Sequence, residues 1–419
     1  MKVFKFGGAS VKDAEGVRNV FRILESFKDS KLLVVISAMG KTTNALERIV
    51  DLYFAKGNTV NDDIDVLKRF HVDIASDIFD NHHDVFDLIQ GIIDDLLATL
   101  KRNKSTQYDF VYDQIVSYGE LLSTTIVSAY LNLNGLENIY VDARELIKTD
   151  TTHRDAKVDW ETTQNLIKSN LPEHKLIITQ GFIGSDVNNF TTTLGREGSD
   201  YSAGIFAYCL NAESVSIWKD VPGVLNADPR VFEETHLLHH ISYGEAIELA
   251  FYGASVIHPK TLQPLQRKEI PLFVKSFQNP EEEGTSVKKG QPLDPYIPCF
   301  IVKKNQILLS LSSLDFSFIV EDNISQIFSL FHKYQIKVDL IQNSAISFSV
   351  CLDDRFSHFE KLLPELKTKF KISYNQNVDL YTIRHFNELA IKQLEKDKEV
   401  FLKQITRETC QIVGRYRKN

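Results

Sequence analysis

Near the amino terminus a lysine precedes a pair of glycines, in the sequence Lys5-Phe6-Gly7-Gly8. Two residues without a Cβ let the backbone approach a phosphate, and the helix that follows offers its free N-terminal amides. The lysine supplies a positive charge for the same phosphate. The pattern is suited to phosphate binding, but taken alone it is more typical of a glycine turn beside an ordinary surface lysine.

The densest polar stretch runs from Thr191 to Asp200, with the sequence TTTLGREGSD. Arg196 can hold a carboxylate through two parallel hydrogen bonds. Ser199 and Asp200 stand where a helix begins, so we expect them to cap that helix and to lie at its positive end. A polar loop that ends in a helix cap is the alternative, but so many small and charged residues within ten positions favour a binding site.

A third polar cluster follows a strand pattern. Trp218-Lys219-Asp220-Val221-Pro222-Gly223 is followed shortly by Asp228-Pro229-Arg230. Lys219 and Asp220 would stand at the end of the strand, where ligands gather in parallel sheets. Turn chemistry alone also accounts for this cluster.

Three other motifs are excluded. Gly40-Lys41-Thr42 resembles the end of a P-loop, but Val35 stands where that motif requires its first glycine. No strand pattern is followed by GxGxxG, which argues against a dinucleotide-binding dehydrogenase. His236, His239 and His240 lack the helix and the partners of a zinc site, so no residue is predicted to bind a metal.

Apolar patterns indicate how the polar clusters are positioned. Lys2 to Phe6 reads as a short strand, and Leu32 to Ile36 is apolar throughout, as in a parallel sheet buried on both faces. Residues 11–27 have helical spacing, and Thr42 to Asn44 can cap the next helix. Two strand–loop–helix units in the first fifty residues predict an α/β domain with a parallel sheet.

The second half of the chain changes character after a turn-rich segment. Strand patterns recur at 139–141, 176–179, 215–218 and 271–274. Gln278 to Pro298 holds four of the eleven prolines and indicates a domain boundary. The order beyond it, strand, helix, strand, strand, helix, strand, predicts a ferredoxin-like unit. About 45 residues then remain, enough for only part of a second unit.

Composition narrows the class of partner. A formal net charge of -8 argues against nucleic acid, which requires a basic surface. The four cysteines have no CxxC spacing and are expected to be free thiols in a reducing compartment. Since no apolar run approaches the ~20 residues that span a bilayer, and no signal-peptide pattern is present, we expect a cytoplasmic protein without membrane contact.

Together the three clusters resemble the signature of the aspartate kinases, in the amino-acid kinase family. Lys5 to Ser10 is similar to the family's KFGG(T/S)S opening, and Thr192 to Asp200 to its TTLGRGGSD sequence. Asp220 to Arg230 is similar to its DVPG…DPR element. The resemblance covers nearly the whole chain. It implies a parallel-sheet α/β sandwich of amino-acid-kinase type, followed by a ferredoxin-like (ACT) α+β regulatory region.

The resemblance also implies a role for each matching residue. Lys5 would neutralise charge on the transferring phosphoryl group, and Asp200 would hold that lysine in place. Arg196 would bind the α-carboxylate of the substrate and Glu120 its α-ammonium. The amino-acid pocket would be lined by Ser37, Thr43, Phe182 and Ser199. The nucleotide would be contacted by Gly7, Gly8, Lys219, Asp220, Leu225 and Arg230.

The implied substrates are L-aspartate and ATP, with Mg²⁺ bridging the phosphates. The aspartate side chain has an unperturbed pKa near ~3.9, so the nucleophile is ionised at neutral pH and needs no general base. Positioning and positive charge must then supply most of the catalysis. We therefore predict an ATP-dependent kinase that makes 4-phospho-L-aspartate, the first step towards lysine, threonine and methionine.

Three positions depart from the family's pattern. Ala9 stands where threonine is usual, Glu197 replaces a glycine of the signature, and Ser255 falls where many relatives carry a lysine that contacts ATP. Glu197 adds negative charge beside the phosphates, so a non-catalytic amino-acid sensor is one alternative. A glutamate, acetylglutamate or nucleotide kinase is another, against which Arg196 and Glu120 argue.

The resemblance divides the chain into a catalytic domain (1–280), a linker (281–298), a first ACT-like domain (299–375) and a shortened second one (376–419). Val338-Asp339-Leu340-Ile341 is similar to the VDLI strand of ACT domains that bind end-product amino acids. Asp339 is therefore the candidate effector residue. Because such units leave sheet edges open, we expect a homodimer or a higher homo-oligomer.

Overall fold

The computed structural model describes residues 1–55, 60–254, 257–315 and 317–417. They form two compact units. The first comprises residues 1–224, 237–247 and 256–294, and the second comprises residues 225–236, 248–255 and 295–419. Within the described residues, no helix is both long and apolar enough to cross a membrane.

A mostly parallel sheet lies at the centre of the first unit. The strands up to residue 294 are β1 (Lys2–Phe6), β2 (Leu32–Ile36), β3 (Ile139–Val141), β4 (Leu176–Gln180), β5 (Ile183–Ser185), β6 (Thr191–Thr193), β7 (Ser214–Lys219), β8 (His240–Ser242), β9 (Leu272–Ser276) and β10 (Thr285–Lys288). The sheet has the order β3-β4-β2-β1-β7-β9-β10-β8, and β5 pairs with β6 in a separate hairpin. The strands from β3 to β9 in this order are parallel, whereas β10 is antiparallel to β9.

Helices connect the strands. They are α1 (Ala14–Glu25), α2 (Thr42–Phe54), α3 (Val60–Ser76), α4 (Val85–Arg102), α5 (Tyr108–Val116), α6 (Tyr118–Leu133), α7 (Ala143–Leu146), α8 (Trp160–Asn170), α9 (Gly198–Leu210), α10 (Tyr243–Tyr252) and α11 (Pro259–Lys268). Every residue of β2 is buried. This is the result of apolar side chains on both faces of a strand whose sheet is covered on both sides.

Two predicted helix caps are wrong. The N-cap of α2 is Lys41, and the Thr42 hydroxyl donates instead to the carbonyl of Met39 at 2.6 Å. The N-cap of α9 is Glu197, which precedes Ser199 and Asp200, and it makes no side-chain cap hydrogen bond. Part of the segment expected to be a linker is a strand, because Thr285–Lys288 form β10 and pair with β9.

The second unit contains a six-stranded antiparallel sheet. Its elements are β11 (Cys299–Ser313), α12 (Glu321–Lys333), β12 (Lys337–Asn343), β13 (Ser347–Asp353), α13 (Phe359–Lys367), β14 (Phe370–Arg384), α14 (Glu388–Glu395), β15 (Lys398–Ile405) and β16 (Thr409–Tyr416). The strand order is β12-β13-β11-β14-β16-β15. One apolar core lies beneath α12 and α13, and another contains Ile391 and Leu394 of α14.

The long strands β11 and β14 each serve both halves of this sheet. The second part of β11 pairs with β13 and with the first part of β14, which completes the ferredoxin-like order. The first part of β11, Cys299 to Lys303, pairs with the end of β14, which pairs in turn with β16. A register irregularity separates the two parts between Lys303 and Leu308.

Candidate active site

A cleft opens where the central strands end. β1 lies between β2 and β7, so the loops after Phe6, Ile36 and Lys219 meet at one edge of the sheet. The cleft has a volume of about 310 Å³. It is lined by Lys5, Gly8, Ser37, Ala38, Gly40, Thr43, Glu120, Phe182, Gly195, Glu197, Gly198, Ser199, Asp200 and Lys219.

Two lysines share one buried aspartate in this cleft. The Lys5 ammonium lies 2.7 Å from Oδ1 of Asp200, and the Lys219 ammonium lies 3.1 Å from Oδ2. Burial alone would raise the pKa of Asp200, but the two ammoniums outweigh burial and hold this pKa below its ordinary value. Asp200 is therefore ionised, and it fixes both lysines against the cleft.

Glu120 presents a buried carboxylate to the same cleft. It lies in the first turn of α6, and only 2% of the residue is exposed. Its Oε2 has no hydrogen-bond partner. Burial raises the pKa of Glu120 to about 8, against opposing hydrogen bonds from its own backbone and from Ala38, and against the charge of Lys5. A buried carboxyl group with an unpaired oxygen is suited to bind a cation that enters the cleft, because the cation stabilises its ionised form.

Glu197 is the third acidic side chain that lines the cleft. Its backbone is left-handed, with φ 51° and ψ 31°. Burial raises the pKa of its carboxyl, opposed mainly by Lys219. The Oε2 atom is buried without a hydrogen-bond partner.

The residues expected to form an amino-acid pocket also lie here. Ser37, Thr43, Phe182 and Ser199 all line the cleft. Phe182 has φ 71°, and its backbone N–H donates to the Ser202 hydroxyl at 2.9 Å. This hydrogen bond joins Phe182, which directly precedes β5, to α9.

Other candidates lie away from the cleft lining. Arg196 and Asp220 are exposed, and neither lines the cleft. Gly7 does not line it, although a Cβ there would lie 3.4 Å from the Lys5 ammonium. Leu225 and Arg230 belong to the second unit, and the exposed Arg230 pairs with Asp228 at 2.7 Å. Ser255 lies outside the described residues.

Asp339 also belongs to the second unit. Its side chain is 2% exposed and lies 2.8 Å from the ammonium of Lys303 and 3.1 Å from that of Lys337. The carboxylate is thus already paired with two lysines of this chain. No local sequence pattern indicates these partners.

Sequence reasoning missed a buried aspartate that supports the signature loop. Asp113 of α5 is fully buried and accepts hydrogen bonds from the Thr193 hydroxyl at 2.6 Å, from Nδ1 of His153 at 2.9 Å and from the backbone N–H of Arg154 at 3.1 Å. Burial raises the pKa of Asp113 despite these donors. An aspartate among mostly apolar residues of the helical segment FVYDQIV was the available signal.

Comparison with known proteins places the chain in a family. The family model for the amino acid kinase family matches residues 1–276, well over half of the chain. The chain belongs to the amino acid kinase family.

Within that family its relatives are aspartokinases. The lysine-sensitive aspartokinase 3 of Escherichia coli (strain K12) is 31% identical over 410 residues, which are 95% of this chain and 90% of the relative. The structure of E. coli aspartokinase III in complex with lysine and aspartate has a TM-score of 0.82 at 28% identity and covers 99% of this chain and 95% of its own. The complex of that enzyme with aspartate and ADP has a TM-score of 0.82 at 27% identity, with 99% and 96% covered.

These findings confirm the resemblance to aspartokinases. They also confirm the predicted fold class, a parallel-sheet kinase domain followed by an antiparallel regulatory region.

Proposed function

We propose that this chain transfers the γ-phosphoryl group of ATP to the side-chain carboxylate of L-aspartate, forming 4-phospho-L-aspartate. The observation that carries the proposal is the pair of lysines held by Asp200 in the same cleft as the buried carboxyl group of Glu120, whose Oε2 has no hydrogen-bond partner among the described residues. The first arrangement suits a phosphate, and the second suits an amino acid's ammonium. The product is the first intermediate on the route to lysine, threonine and methionine.

The reaction joins two negatively charged groups. The aspartate carboxylate is already ionised at neutral pH, so the site has to orient it and offset charge rather than remove a proton. Lys5 and Lys219 stabilise the transferring phosphoryl group, and Asp200 keeps both ammoniums in place. Glu120 binds the α-ammonium, Arg196 binds the α-carboxylate, and Ser37, Thr43, Phe182 and Ser199 complete the amino-acid pocket.

The nucleotide is bound at the glycine loop and beyond the end of β7. Gly7 and Gly8 let the backbone approach the phosphates, while Asp220, Leu225 and Arg230 contact the rest of the nucleotide. The buried unpaired oxygen of Glu197 is compatible with a divalent cation in the cleft. Mg²⁺, when bound with the nucleotide, neutralises phosphate charge.

The activity is tested by trapping the acyl phosphate. The protein is incubated with Mg·ATP, L-aspartate and hydroxylamine, and we expect an aspartyl hydroxamate. Lys5→Met should lower turnover by about 10²–10³-fold or more while the protein stays folded, because Asp200 keeps Lys219 as a partner. A folded wild-type protein that forms no hydroxamate would contradict the proposal.

Two rival functions are separated by the same assay. A panel of glutamate, acetylglutamate and nucleoside monophosphates tests other kinases of the family. ATP binding without turnover of any of them would support a non-catalytic amino-acid sensor, for which the carboxylate of Glu197 in the cleft is the specific observation.

The second unit is proposed to be regulatory. Its ferredoxin-like strand order supports ACT domains that bind an amino-acid effector, with Asp339 as a contact. The E. coli relative is lysine-sensitive by name, so lysine is the first effector to test. The domain limits 1–280, 281–298, 299–375 and 376–419, a cytoplasmic location and a homodimeric or larger assembly stay predictions.

A further inference from the structure

Glu197 has an unfavourable backbone conformation. A φ of 51° places it in the left-handed region, which costs an L-residue with a Cβ roughly 1–2 kcal/mol and costs glycine almost nothing. The family signature has glycine at this position. A strained non-glycine residue that lines a cleft suggests a functional role for its side chain.

The side chain of Glu197 is also unsatisfied. Its Oε2 is buried and has no hydrogen-bond partner in the part of the chain that the structure describes, although Glu197 lines the cleft together with Lys5, Lys219 and Asp200. Two donors in that group, Lys5 and Lys219, are already paired with Asp200. A buried carboxylate oxygen without a partner costs free energy, and this cost is removed when a cation binds it.

The charge of the cleft points to a cation as well. Two lysines line it together with the carboxyl groups of Glu120, Glu197 and Asp200. Because the pKa of Glu120 is raised to about 8, this group is protonated at pH 7, and the formal charge of the lining is 2 − 2 = 0. Glu120 is fully buried and its Oε2 is likewise unpaired. A polyphosphate and an amino-acid dicarboxylate bring negative charge. Their entry therefore requires additional positive charge close to the phosphates.

We propose that Glu197 is a ligand, directly or through one water, of the divalent cation that enters with the nucleotide. Magnesium prefers oxygen ligands and is commonly held by one or two carboxylates plus substrate phosphates. In the part of the chain that the structure describes, no group of three or more His, Cys, Asp or Glu side chains could hold a metal. The cation therefore binds weakly to the free protein and tightly only when ADP or ATP supplies the remaining oxygens. This inference rests on the proposed nucleotide site.

Manganese binding tests the inference without any turnover. Free Mn²⁺ is measured by electron paramagnetic resonance during titration of the protein with saturating ADP, and ADP affinity is measured separately by calorimetry in EDTA. Glu197→Gln should weaken Mn²⁺ binding in the ADP complex at least tenfold. In EDTA the same variant should bind ADP equally or more tightly, because a negative charge beside the phosphates is removed.

Glu173→Gln is the matched control. Glu173 is exposed and lies outside the cleft, so both affinities should equal those of the wild type. Glu197→Gly is the second variant; it removes the left-handed strain and should fold at least as stably as the wild type while losing Mn²⁺ affinity like Glu197→Gln.

Two results would overturn the inference. One is an unchanged Mn²⁺ affinity in both folded Glu197 variants. The other is tighter ADP binding with Mn²⁺ as well as without it, which would show that the carboxylate competes with phosphate. Because aspartate takes no part, a failed hydroxamate assay leaves this test intact, and an active enzyme with unchanged Mn²⁺ affinity rejects the inference alone.

Discussion

Each of the three carboxylates in the cleft is held in a different electrostatic state by its neighbours. Asp200 has two ammonium partners, and its pKa is lowered. Glu120 has no ammonium partner at ion-pair distance among the described residues, and burial raises its pKa to about 8. Glu197 lies between these extremes, with a pKa raised by burial and opposed by Lys219. Identical chemical groups thus acquire separate tasks from burial and from the position of the two lysines.

The state of Glu120 predicts a pH-dependent affinity for aspartate. Below about pH 8 the free protein holds this carboxyl protonated, and an ammonium can pair with it only after the proton leaves. The Kd of aspartate should therefore rise by up to about tenfold per pH unit as the pH falls from 8 to 6. Calorimetry in buffers of different ionisation enthalpy should find close to one proton released per aspartate bound at pH 6.5.

Glu120→Gln serves as the control for this linkage. It should bind aspartate more weakly at pH 8 and lose the pH slope. Because the folded pKa lies above the ordinary value of 4.5, ionisation of Glu120 destabilises the fold progressively between about pH 4.5 and 8. The variant should accordingly gain stability relative to the wild type as the pH rises over that range. A wild-type affinity that does not vary with pH would reject the assignment.

At the scale of elements, the loop after β1 depends on one glycine more than on the other. A Cβ on Gly8 would lie 2.6 Å from the carbonyl oxygen of Ala38 and 3.1 Å from that of Gly40, both backbone atoms. Gly8→Ala should therefore displace the loop, destabilise the protein by about 1–3 kcal/mol and lower turnover. Urea unfolding and the hydroxamate assay measure the two effects.

Gly7→Ala is the matched variant. Its Cβ would approach only the end of the Lys5 side chain, at 3.4 Å, so stability should stay within about 0.5 kcal/mol of the wild type. If phosphate binds here, the KM for ATP should still rise, because the methyl group stands beside the Lys5 ammonium. Equal destabilisation by the two substitutions would contradict this reading of the loop.

The position of the β5–β6 hairpin depends on Asp113 of α5, which accepts a hydrogen bond from Thr193 of β6. Asp113→Asn keeps the shape of the side chain but replaces one acceptor oxygen with a donor that faces Thr193, His153 or Arg154. We expect a loss of about 1–3 kcal/mol in unfolding free energy and a higher KM for aspartate, since Thr193 lies two residues before Gly195, which lines the cleft. Thr193→Val, which removes a single donor, should cost about 1 kcal/mol; if it costs more than Asp113→Asn, the carboxylate is not the organising group.

These elements show which parts of the site can be predicted from sequence. β1 and β2 are recognisable because a buried parallel strand is apolar throughout, and the cleft follows from the rule that ligands lie at carboxyl ends. The predicted N-cap residues of α2 and α9 are wrong. A serine or threonine near the start of a helix does not reveal which residue adopts the non-helical backbone conformation of the N-cap. Asp113 and the unpaired oxygen of Glu197 depend on burial by segments distant in sequence, which local patterns do not contain.

At the scale of the whole molecule, the order of elements along the chain underestimates how many ferredoxin-like units the second unit contains. Residues 376–419 look too few for a second ferredoxin-like unit. The missing strand is the first part of β11, Cys299 to Lys303, which lies in sequence before the other elements of the first ferredoxin-like unit and pairs with the end of β14. The strands β11, β14, β16 and β15 then follow the same spatial order as β14, β11, β13 and β12. The local sequence pattern of β11 does not indicate that this strand belongs to both ferredoxin-like units.

Lys303 lies on β11, the strand that both ferredoxin-like units share, and forms an ion pair with Asp339, the proposed effector residue. Both lysines contact Oδ1 of Asp339, whereas Oδ2 is buried and has no hydrogen-bond partner among the described residues. An effector ammonium that binds Asp339 has to reach a side chain that is 2% exposed, against the positive charge of Lys303 and Lys337. Wild-type protein should therefore respond weakly to lysine. Lys303→Met leaves Asp339 with the exposed Lys337 alone and should destabilise the second unit by about 1–3 kcal/mol, less than the complete loss of a buried pair.

Free lysine should then replace the missing ammonium. Added L-lysine should raise the Tm of Lys303→Met by more than it raises that of the wild type, and Asp339→Asn combined with Lys303→Met should abolish the gain. Norleucine, which lacks the side-chain ammonium, is the ligand control. If lysine inhibits the wild type strongly, and Lys303→Met changes neither that inhibition nor the thermal response, then Asp339 is not the effector contact, and any regulatory site in the second unit lies elsewhere.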